Sequence, residues 1–154
     1  MNVRTATKAI IIEEGKILCS QFRSERTGKI YYGLPGGGQD HEESLREAMK
    51  RECYEEILAK VEVGEVRFIR DYIRQNHISE PDDDHFHQVD VYFECRLLNH
   101  DELGIGPVPD SKQIGVAWLP LSELSEDIFF PAALIPYLKA EQLTESPIYL
   151  GDVD

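Results

Sequence analysis

The sequence predicts an α/β (α+β) fold in which strands precede and follow one well-marked helix. Ala6–Ile12 and Lys16–Phe22 have the composition of two strands, and a polar turn with a glycine joins them. Leu45–Leu58 has an apolar residue at every fourth position, which predicts a helix with one buried face. Val89–Leu97 alternates apolar with polar or aromatic residues, so we expect a two-faced strand there.

Further elements complete the chain. Lys60–Tyr72 is a long, β-branched and largely alternating run, which is typical of a strand. Pro131 can be the first residue of a final helix, Ala132–Gln142. We therefore expect one domain over residues 1–142, followed by an acidic and irregular tail over residues 143–154.

Composition limits the class of protein. The chain has 154 residues and a formal net charge of −13, which argues against binding a long nucleic acid, because that affinity comes largely from Lys and Arg. No apolar run approaches the ~20 residues of a membrane span, and the N-terminus does not resemble a signal peptide. Cys19, Cys53 and Cys95 lie far apart, as expected for buried, reduced thiols of a cytoplasmic protein.

The predicted central helix carries three carboxylates on one face. Ser44 and Glu47 have the spacing of a capping box and mark where the helix begins. Glu55 and Glu56 follow Glu52 by three and four residues, so the three carboxylates lie on one face. Their mutual repulsion destabilises a helix, and a divalent cation such as Mg²⁺ would relieve it. The alternative is a solvated acidic face, which is the usual meaning of such a charge run.

A glycine-rich segment, Leu34–Gly38, stands just before this helix. A backbone without side chains can present carbonyls to a metal ion or amides to a phosphate. In most proteins a triple glycine is only a flexible turn. Beside an acidic helix, however, it is a much more specific signal.

Together, the loop and helix resemble the Nudix box, the signature of the Nudix (MutT-like) hydrolases. The residues that match its conserved positions are Gly37, Glu43, Arg51, Glu52, Cys53, Glu55 and Glu56. The sequence departs from the pattern at Glu42, where the family commonly has glycine, and at Leu58, where the helix would normally end in a glycine. Losing that glycine removes the usual left-handed cap, so we expect the helix to end differently or to run on a little.

The resemblance implies a fold and a chemistry. The fold is the family's α/β/α sandwich, with a mixed sheet between helices, in which Ile30–Leu34 and Val116–Leu121 correspond to family strands. The activity is metal-dependent hydrolysis of the diphosphate linkage in a nucleoside diphosphate joined to another group. By resemblance, Mg²⁺ or Mn²⁺ is held by the Gly36 carbonyl and by three carboxylates, those of Glu52, Glu55 and Glu56.

The resemblance also suggests roles within the box. Either Glu52 or Glu55 would act as the base or position the water, and the sequence does not decide between them. Arg51 would pair with Glu43 and, with Gly37, brace the loop against the helix. The alternative for Arg51 is an exposed partner of Glu47 or Glu55 on the same helix. We also expect the carboxylate cluster to raise the pKa of one glutamate until a metal binds.

Weaker candidates lie outside the box. Arg23 and Arg26 follow the second strand and could reach substrate phosphates, although solvated loop charges are at least as common. Tyr31 or Tyr32 could stack on a base, and Tyr32 is our candidate, although strand aromatics more often belong to the core.

A polar stretch before the Val89–Leu97 strand offers a second conceivable metal site. His85 and His87 would point the same way on a strand and have carboxylates nearby. A loop that shapes specificity is the more common meaning of such a stretch. Glu94 and Glu102 are possible extra metal ligands from beyond the box.

The substrate is less well defined by the sequence. Family members that act on ADP-ribose often carry a proline about sixteen residues after the box; Gln75 stands there, and the next proline is Pro81. The diadenosine-polyphosphate type usually has a tyrosine nearby, but Tyr72 is out of register. A nucleoside triphosphate, ordinary or oxidised, is therefore preferred, with ADP-ribose or a nucleotide sugar as the alternative.

Other functional classes stay open. Nudix-like domains that have lost catalysis serve as nucleotide-sensing or protein-binding modules, and a metal-dependent isomerase of the same fold is a further option. Many relatives are homodimers, but no feature of the sequence identifies an interface.

Overall fold

A computed structural model describes residues 2–141 and 143–154 of the chain. Within these residues the order of elements is β1 Arg4–Ile10, β2 Ile12–Glu13, β3 Lys16–Arg23, β4 Ile30–Gly33, β5 Gly36–Gly38, α1 Leu45–Ile57, β6 Val61–Ile73, β7 His87–Leu97, β8 Gln113–Pro120, α2 Ile135–Ala140 and β9 Tyr149–Asp152. Short 3₁₀ turns cover Arg74–Asn76, Leu121–Glu123 and Ala132–Leu134. In the described part of the chain, no helix is long and apolar enough to cross a membrane.

The strands form two sheets. The larger is mixed and has the order β5-β1-β7-β6-β9, in which β1 is parallel to β7, β6 is parallel to β9, and the other two pairs are antiparallel. In the smaller sheet, β3 pairs antiparallel with β2, β4 and β8. The predicted strand Ala6–Ile12 is therefore divided, because the chain passes from one sheet to the other at Ile11.

Helices cover both faces of the larger sheet, which confirms the predicted mixed α/β arrangement. Three residues of the predicted apolar stripe, Met49, Cys53 and Ile57, are fully buried against one face. On the opposite face, Leu138 of α2 belongs to a second core with Tyr92. Successive residues of a strand point to opposite faces, so β7 serves both cores.

The second face of β7 differs from the sequence-based expectation. The alternation suggested that its polar and aromatic residues face outward. Asp90 and Tyr92, however, are as buried as Val91, the apolar residue between them. The charge of Asp90 is accommodated because the buried Arg70 of β6 donates to it, with 2.9 Å between Nε and Oδ2.

The final helix is shorter than predicted. Ala132–Leu134 form a 3₁₀ turn, and α2 begins at Ile135 with Pro136 in its first turn. Proline fits there because the first helical N–H groups need no partner, whereas in the middle of a longer helix it would break a hydrogen bond. Glu141 ends α2 in a left-handed conformation, and Gln142 lies outside the described residues.

The prediction of an irregular tail is wrong for residues 149–152. Residues Tyr149–Asp152 form β9, which pairs in parallel with β6. The acidity of the tail suggested a solvated segment. Asp152, however, accepts hydrogen bonds from the Ile73 amide at 2.9 Å and from the Asn76 side chain at 2.7 Å, and its Oδ1 lies 2.7 Å from Nε2 of His77. These groups lie more than seventy positions earlier, so the sequence spacing gave no sign of them.

Candidate active site

The glycine segment and the start of α1 are fixed by local hydrogen bonds. Gly36–Gly38 form β5, which pairs with β1. The predicted capping box at α1 is confirmed: Ser44 Oγ accepts from the Glu47 amide at 3.1 Å, and Glu47 Oε2 accepts from the Ser44 amide at 2.8 Å. Together these contacts bring the loop and the acidic helix face side by side.

The helix end keeps the shape that the missing glycine would have given. Leu58 adopts the left-handed conformation, with φ of 59°, and its amide donates to the Tyr54 and Cys53 carbonyls. For an ordinary residue this conformation costs about 1–2 kcal/mol. The nearby chain contributes further bonds: the amides of Gly104, Gly106 and Val108 donate to the carbonyls of Ile57, Glu56 and Glu55 respectively. The expected change at the end of the helix is therefore not seen.

Arg51 joins the loop to the helix. Its guanidinium makes two bonds to Glu43, with Nε to Oε2 at 2.7 Å and Nη2 to Oε1 at 3.0 Å. It also donates to the Gly38 carbonyl at 2.8 Å. The same side chain contacts Glu52 and Glu55 at 2.9 Å each, so the Glu55 contact of the alternative interpretation is present, although the Arg51 side chain is only 25% exposed. Hydrogen bonds from Arg51 hold the pKa of Glu43 below its ordinary value.

Glu52 lies against the glycine segment. A Cβ placed on Gly37 would overlap the Glu52 carboxylate, so a larger residue at this position would displace the end of that side chain. Gly36 is more strictly constrained, because a Cβ there would overlap the backbone carbonyl of Thr7 in β1, which cannot move aside as a side chain can. Gly36 therefore fixes the loop on the sheet, whereas Gly37 leaves room for a carboxylate.

Glu56 is the most buried carboxylate of the helix face. Ser20 Oγ donates a short hydrogen bond to its Oε1, and the Gly36 amide donates to its Oε2 at 3.2 Å. Burial raises the pKa of Glu56, although Ser20, Lys8 and the Gly36 amide favour the charged form. The sequence predicted that the carboxylate cluster raises the pKa of one glutamate. A glutamate with a raised pKa is found, but the main cause is burial.

The three predicted ligands are not arranged around a single point. Glu52 and Glu55 each use one oxygen to accept from Arg51, and Glu56 is turned toward Ser20 and Gly36. Among the described residues, no group of three or more His, Cys, Asp or Glu side chains is placed to hold a metal ion.

A cleft of about 520 Å³ opens over this region. We call it the carboxylate cleft. Its walls include Glu52 and Glu56, Gly36 and Gly37, the cations Arg4, Lys8 and Lys112, and the aromatic residues Phe22, Tyr31, Phe86 and Phe130. Oxygen donors and cations thus share one surface, which can bind a phosphate compound together with a hard cation.

The weaker substrate candidates lie elsewhere. Arg23 donates to the Gly28 carbonyl at 3.3 Å, Arg26 is exposed in the β3–β4 turn, and neither lines the cleft. Tyr32 packs against the core on the α2 side, and its neighbour Tyr31 lines the cleft instead. The choice of Tyr32 is therefore corrected: adjacent strand residues face opposite ways, and the sequence does not show which face is open.

The other suggested ligands also lie outside the cleft. His87 hydrogen-bonds Asp71 at 2.8 Å, and His85 lies exposed in the loop before β7. Glu94 pairs with Arg67 at 2.6 Å, and Glu102 is exposed. None of the four lines the carboxylate cleft.

Sequence reasoning missed the cations of the cleft. Arg4 and Lys8 stand on β1, and Lys112 directly precedes β8. An alternating pattern could have placed Ala6 and Lys8 on one face of β1, but only the pairing of β1 with β5 and β7 brings that face to the acidic helix. Those contacts are long-range and leave no local signal.

A second cavity adjoins the first. It has a volume of about 260 Å³, and we call it the Tyr72 cavity. It is lined by Arg70 and Tyr72 of β6, Asp90 and Tyr92 of β7, Pro131 and the exposed Asp154, and it shares Lys8, Leu34, Phe86, Gln88 and Phe130 with the carboxylate cleft. The two spaces therefore meet along one face of the larger sheet.

Comparison with known proteins agrees with this geometry. The NUDIX domain model matches residues 2–138. Over 104 residues the chain is 29% identical to the nucleoside triphosphatase NudI of Enterobacter sp. (strain 638), which covers 66% of this chain and 74% of that protein.

Solved structures show the same fold. An ADP-ribose pyrophosphatase from Streptococcus suis is 25% identical, with a TM-score of 0.62 and coverage of 99% of this chain and 100% of that one. A NUDIX hydrolase from Nitrosomonas europaea is 24% identical, with a TM-score of 0.69 over 100% of this chain and 80% of that one. The match across residues 2–138, the box residues on α1 and these relatives together establish that the chain belongs to the Nudix family and is a pyrophosphohydrolase acting on phosphorus-containing acid anhydrides.

Proposed function

We propose that the chain is a divalent-metal-dependent hydrolase that cleaves the diphosphate linkage of a nucleoside triphosphate. The observation that carries the proposal is the shared surface of the carboxylate cleft. Glu52 and Glu56 face the same space as Arg4 and Lys8. In a chain with a net charge of −13, cations gathered beside carboxylates favour an anionic ligand that brings or shares a metal ion.

The donor set fits Mg²⁺ or Mn²⁺, since both prefer oxygen ligands. Glu52, Glu55 and Glu56 would hold the ion together with the Gly36 carbonyl. Two of these carboxylates now share the charge of Arg51, which a divalent ion would compete for. When bound, the ion would neutralise phosphate oxygens and make water a stronger nucleophile.

The remaining roles belong to the chain's own residues. Arg51 holds the loop against α1 through Glu43 and the Gly38 carbonyl. Of the two candidates for the base, Glu52 faces the cleft and Glu55 does not, which favours Glu52 as the group that positions the water. The cations on β1 would bind the phosphates, whose negative charge otherwise repels a nucleophile.

Two relatives guide the choice of substrate. The name of NudI describes a nucleoside triphosphatase, and that relative supports a nucleoside triphosphate as the substrate. The Streptococcus suis structure is called an ADP-ribose pyrophosphatase, so ADP-ribose or a nucleotide sugar is the second candidate. We place the enzyme in the cytoplasm, a proposal supported by three cysteines that are buried and unpaired.

The test is phosphate release from a nucleotide panel, coupled to a phosphatase, with Mg²⁺ or Mn²⁺. The panel contains ordinary and oxidised triphosphates, ADP-ribose, nucleotide sugars and dinucleoside polyphosphates. We expect one metal-dependent signal, lowered at least ~100-fold in Glu55→Gln, because a ligand or positioned carboxylate is lost.

Glu47→Gln is the matched control. It removes the same charge from the same helix, and glutamine preserves the capping box with Ser44. Its activity should stay within about twofold of the unchanged enzyme. Full activity of Glu55→Gln would overturn the assigned site. Silence across the panel with nucleotide binding retained would favour a catalytically silent nucleotide-binding module.

A further inference from the structure

Lys8 is an unusual residue of the proposed substrate surface. It is half-buried, lines both the carboxylate cleft and the Tyr72 cavity, and has no hydrogen-bond or ion-pair partner among the described residues. Most arginines of the same sheet have one: Arg70 pairs with Asp90, and Arg67 with Glu94. Removing an ammonium group from water without a partner is unfavourable, so Lys8 is suited to a ligand with negative charge.

The position of Lys8 in the sheet defines what lies on each side of it. Across β1 it stands opposite Gly36 of β5 on one side and Tyr92 of β7 on the other. The Gly36 side leads to Glu56, and Lys8 is close enough to favour the charged form of that carboxylate. The Tyr92 side leads into the Tyr72 cavity.

The Tyr72 cavity has a rigid and electrically compensated floor. Buried Asp90 accepts from Arg70 Nε at 2.9 Å, from Gln88 Nε2 at 2.7 Å and from the Tyr92 hydroxyl at 3.3 Å. The charge of Asp90 is thus neutralised within the protein, and the other carboxylate of the cavity, the exposed Asp154, can accept hydrogen bonds from N–H groups, so the cavity suits a group without negative charge. Its aromatic walls and polar floor are typical of a site for a flat, partly polar ring.

The two spaces differ in size and charge. The carboxylate cleft is about 520 Å³ and holds Glu52 and Glu56 beside Arg4 and Lys112, cations without an ion-pair partner among the described residues. The Tyr72 cavity is about 260 Å³, and its buried charges, Arg70 and Asp90, pair with each other. Stacking does not distinguish the two spaces, because Phe22 stacks on Tyr31 in the cleft and Tyr72 stacks on His77 beside the cavity, with centroids 5.2 Å apart in both pairs. The charged end of a nucleotide therefore fits the cleft, and its base fits the cavity.

We propose that Lys8 binds the phosphate next to the nucleoside and that the nucleobase enters the Tyr72 cavity, which leaves the diphosphate linkage over Glu52 and Glu56. This inference rests on the proposed function for the identity of the ligand, but it concerns orientation. It makes Lys8 a positioning residue at the junction of recognition and chemistry.

The test is equilibrium binding by titration calorimetry in the presence of EDTA, so that it requires neither metal nor turnover. The probes are the 5′-monophosphates of adenosine, guanosine, cytidine and uridine, each beside its own nucleoside. Lys8→Met should weaken binding of the tightest monophosphate about 10-fold or more, since one charge-assisted hydrogen bond is lost, and should change binding of the nucleoside less than twofold. Lys8→Arg should restore phosphate binding.

Three further variants locate the base and control for charge. Tyr72→Leu should weaken the binding of the nucleoside and of the monophosphate by the same factor, and Tyr31→Leu should weaken the binding of neither. Lys16→Met removes a lysine that is exposed at the start of β3, away from both spaces, and should bind normally. Thermal melting of each variant separates loss of binding from loss of fold.

Several results would overturn the inference. These are equal losses for nucleoside and monophosphate in Lys8→Met, an unchanged Lys8→Met, an effect of Tyr31→Leu larger than that of Tyr72→Leu, or no binding of any monophosphate to the unchanged protein. Failure of the proposed function is distinguishable, because absent hydrolysis with the predicted binding pattern refutes the activity and leaves the orientation intact.

Discussion

The carboxylate cleft and the Tyr72 cavity meet at Lys8, yet they are built in opposite ways. Two of the carboxylates of the cleft, Glu52 and Glu56, come from one continuous segment with the glycines, Gly36 to Glu56, and the third, Asp110, lies in a distant loop. The walls of the cavity come from β1, β6, β7 and Pro131, which are far apart along the chain. The first is set by local spacing on a helix and a loop, and the second is set by how the strands pair. Chemistry and recognition are therefore encoded over different distances in the sequence.

The largest expected effect separates two neighbouring glycines within the local segment. Gly36→Ala should destabilise the protein by about 3 kcal/mol, because the new Cβ overlaps the Thr7 carbonyl and strains a backbone with φ of 152°. Gly37→Ala should change stability by less than ~1 kcal/mol, because only the end of the flexible Glu52 side chain must move. Its activity should nevertheless fall about 10–100-fold, since the carboxylate is displaced.

Urea unfolding and phosphate release, measured on both alanine variants, check this contrast. Each glycine serves as the control for the other, because the substitution is the same and the positions are adjacent. An active Gly37→Ala enzyme would show that the position of Glu52 does not matter for the chemistry. A fully stable Gly36→Ala protein would contradict the close pairing of β5 with β1.

A smaller effect concerns the assembled region, through β9. Burial opposes ionisation of Asp152, but hydrogen bonds from Asn76, His77 and the Ile73 amide outweigh it and lower the pKa of Asp152 to about 2. A lowered folded-state pKa means that the stabilisation is present above the unfolded pKa, near 4, and is lost as the pH falls toward 2. His77 also stacks on Tyr72, with centroids 5.2 Å apart, so this contact supports the cavity wall.

Asp152→Asn tests this contribution by urea unfolding between pH 7 and pH 2. At pH 7 the free energy of unfolding of the unchanged protein should exceed that of the variant by about 1 kcal/mol, a value reduced because Asp152 is partly exposed to solvent. This difference should vanish toward pH 2. Glu145→Gln, in the same segment, is a charge-matched control. A difference that grows as the pH falls would contradict the assigned hydrogen bonds.

The features that the sequence predicted correctly are those set by local spacing. The capping box at Ser44, the apolar stripe of α1 and the acidic face of Glu52, Glu55 and Glu56 lie within a few residues of one another, so periodicity alone identified them. The Arg51–Glu43 contact came from the family resemblance, and the structure brings the two side chains together. These are properties of one helix and the loop before it.

The parts that sequence reasoning missed depend on contacts between distant residues. Tyr32 was preferred to Tyr31 because the open face of a strand is not written in its own residues. The tail became β9 because β6 offers it an edge and residues near Ile73 offer donors to Asp152. Lys8 was overlooked because a single lysine in a strand carries no signal until β5 and β7 are placed beside it.

The most direct test of the division between local chemistry and assembled recognition is the ranking of substrates by kcat/KM. It is measured across the nucleotide panel for the unchanged enzyme, Glu56→Gln and Tyr72→Leu. Glu56→Gln should lower kcat/KM by a similar factor for every substrate and keep the ranking. Tyr72→Leu should change the ratio of kcat/KM between substrates that differ only in the base by about 10-fold. A ranking that Tyr72→Leu leaves unchanged, or that Glu56→Gln rearranges, would contradict the account.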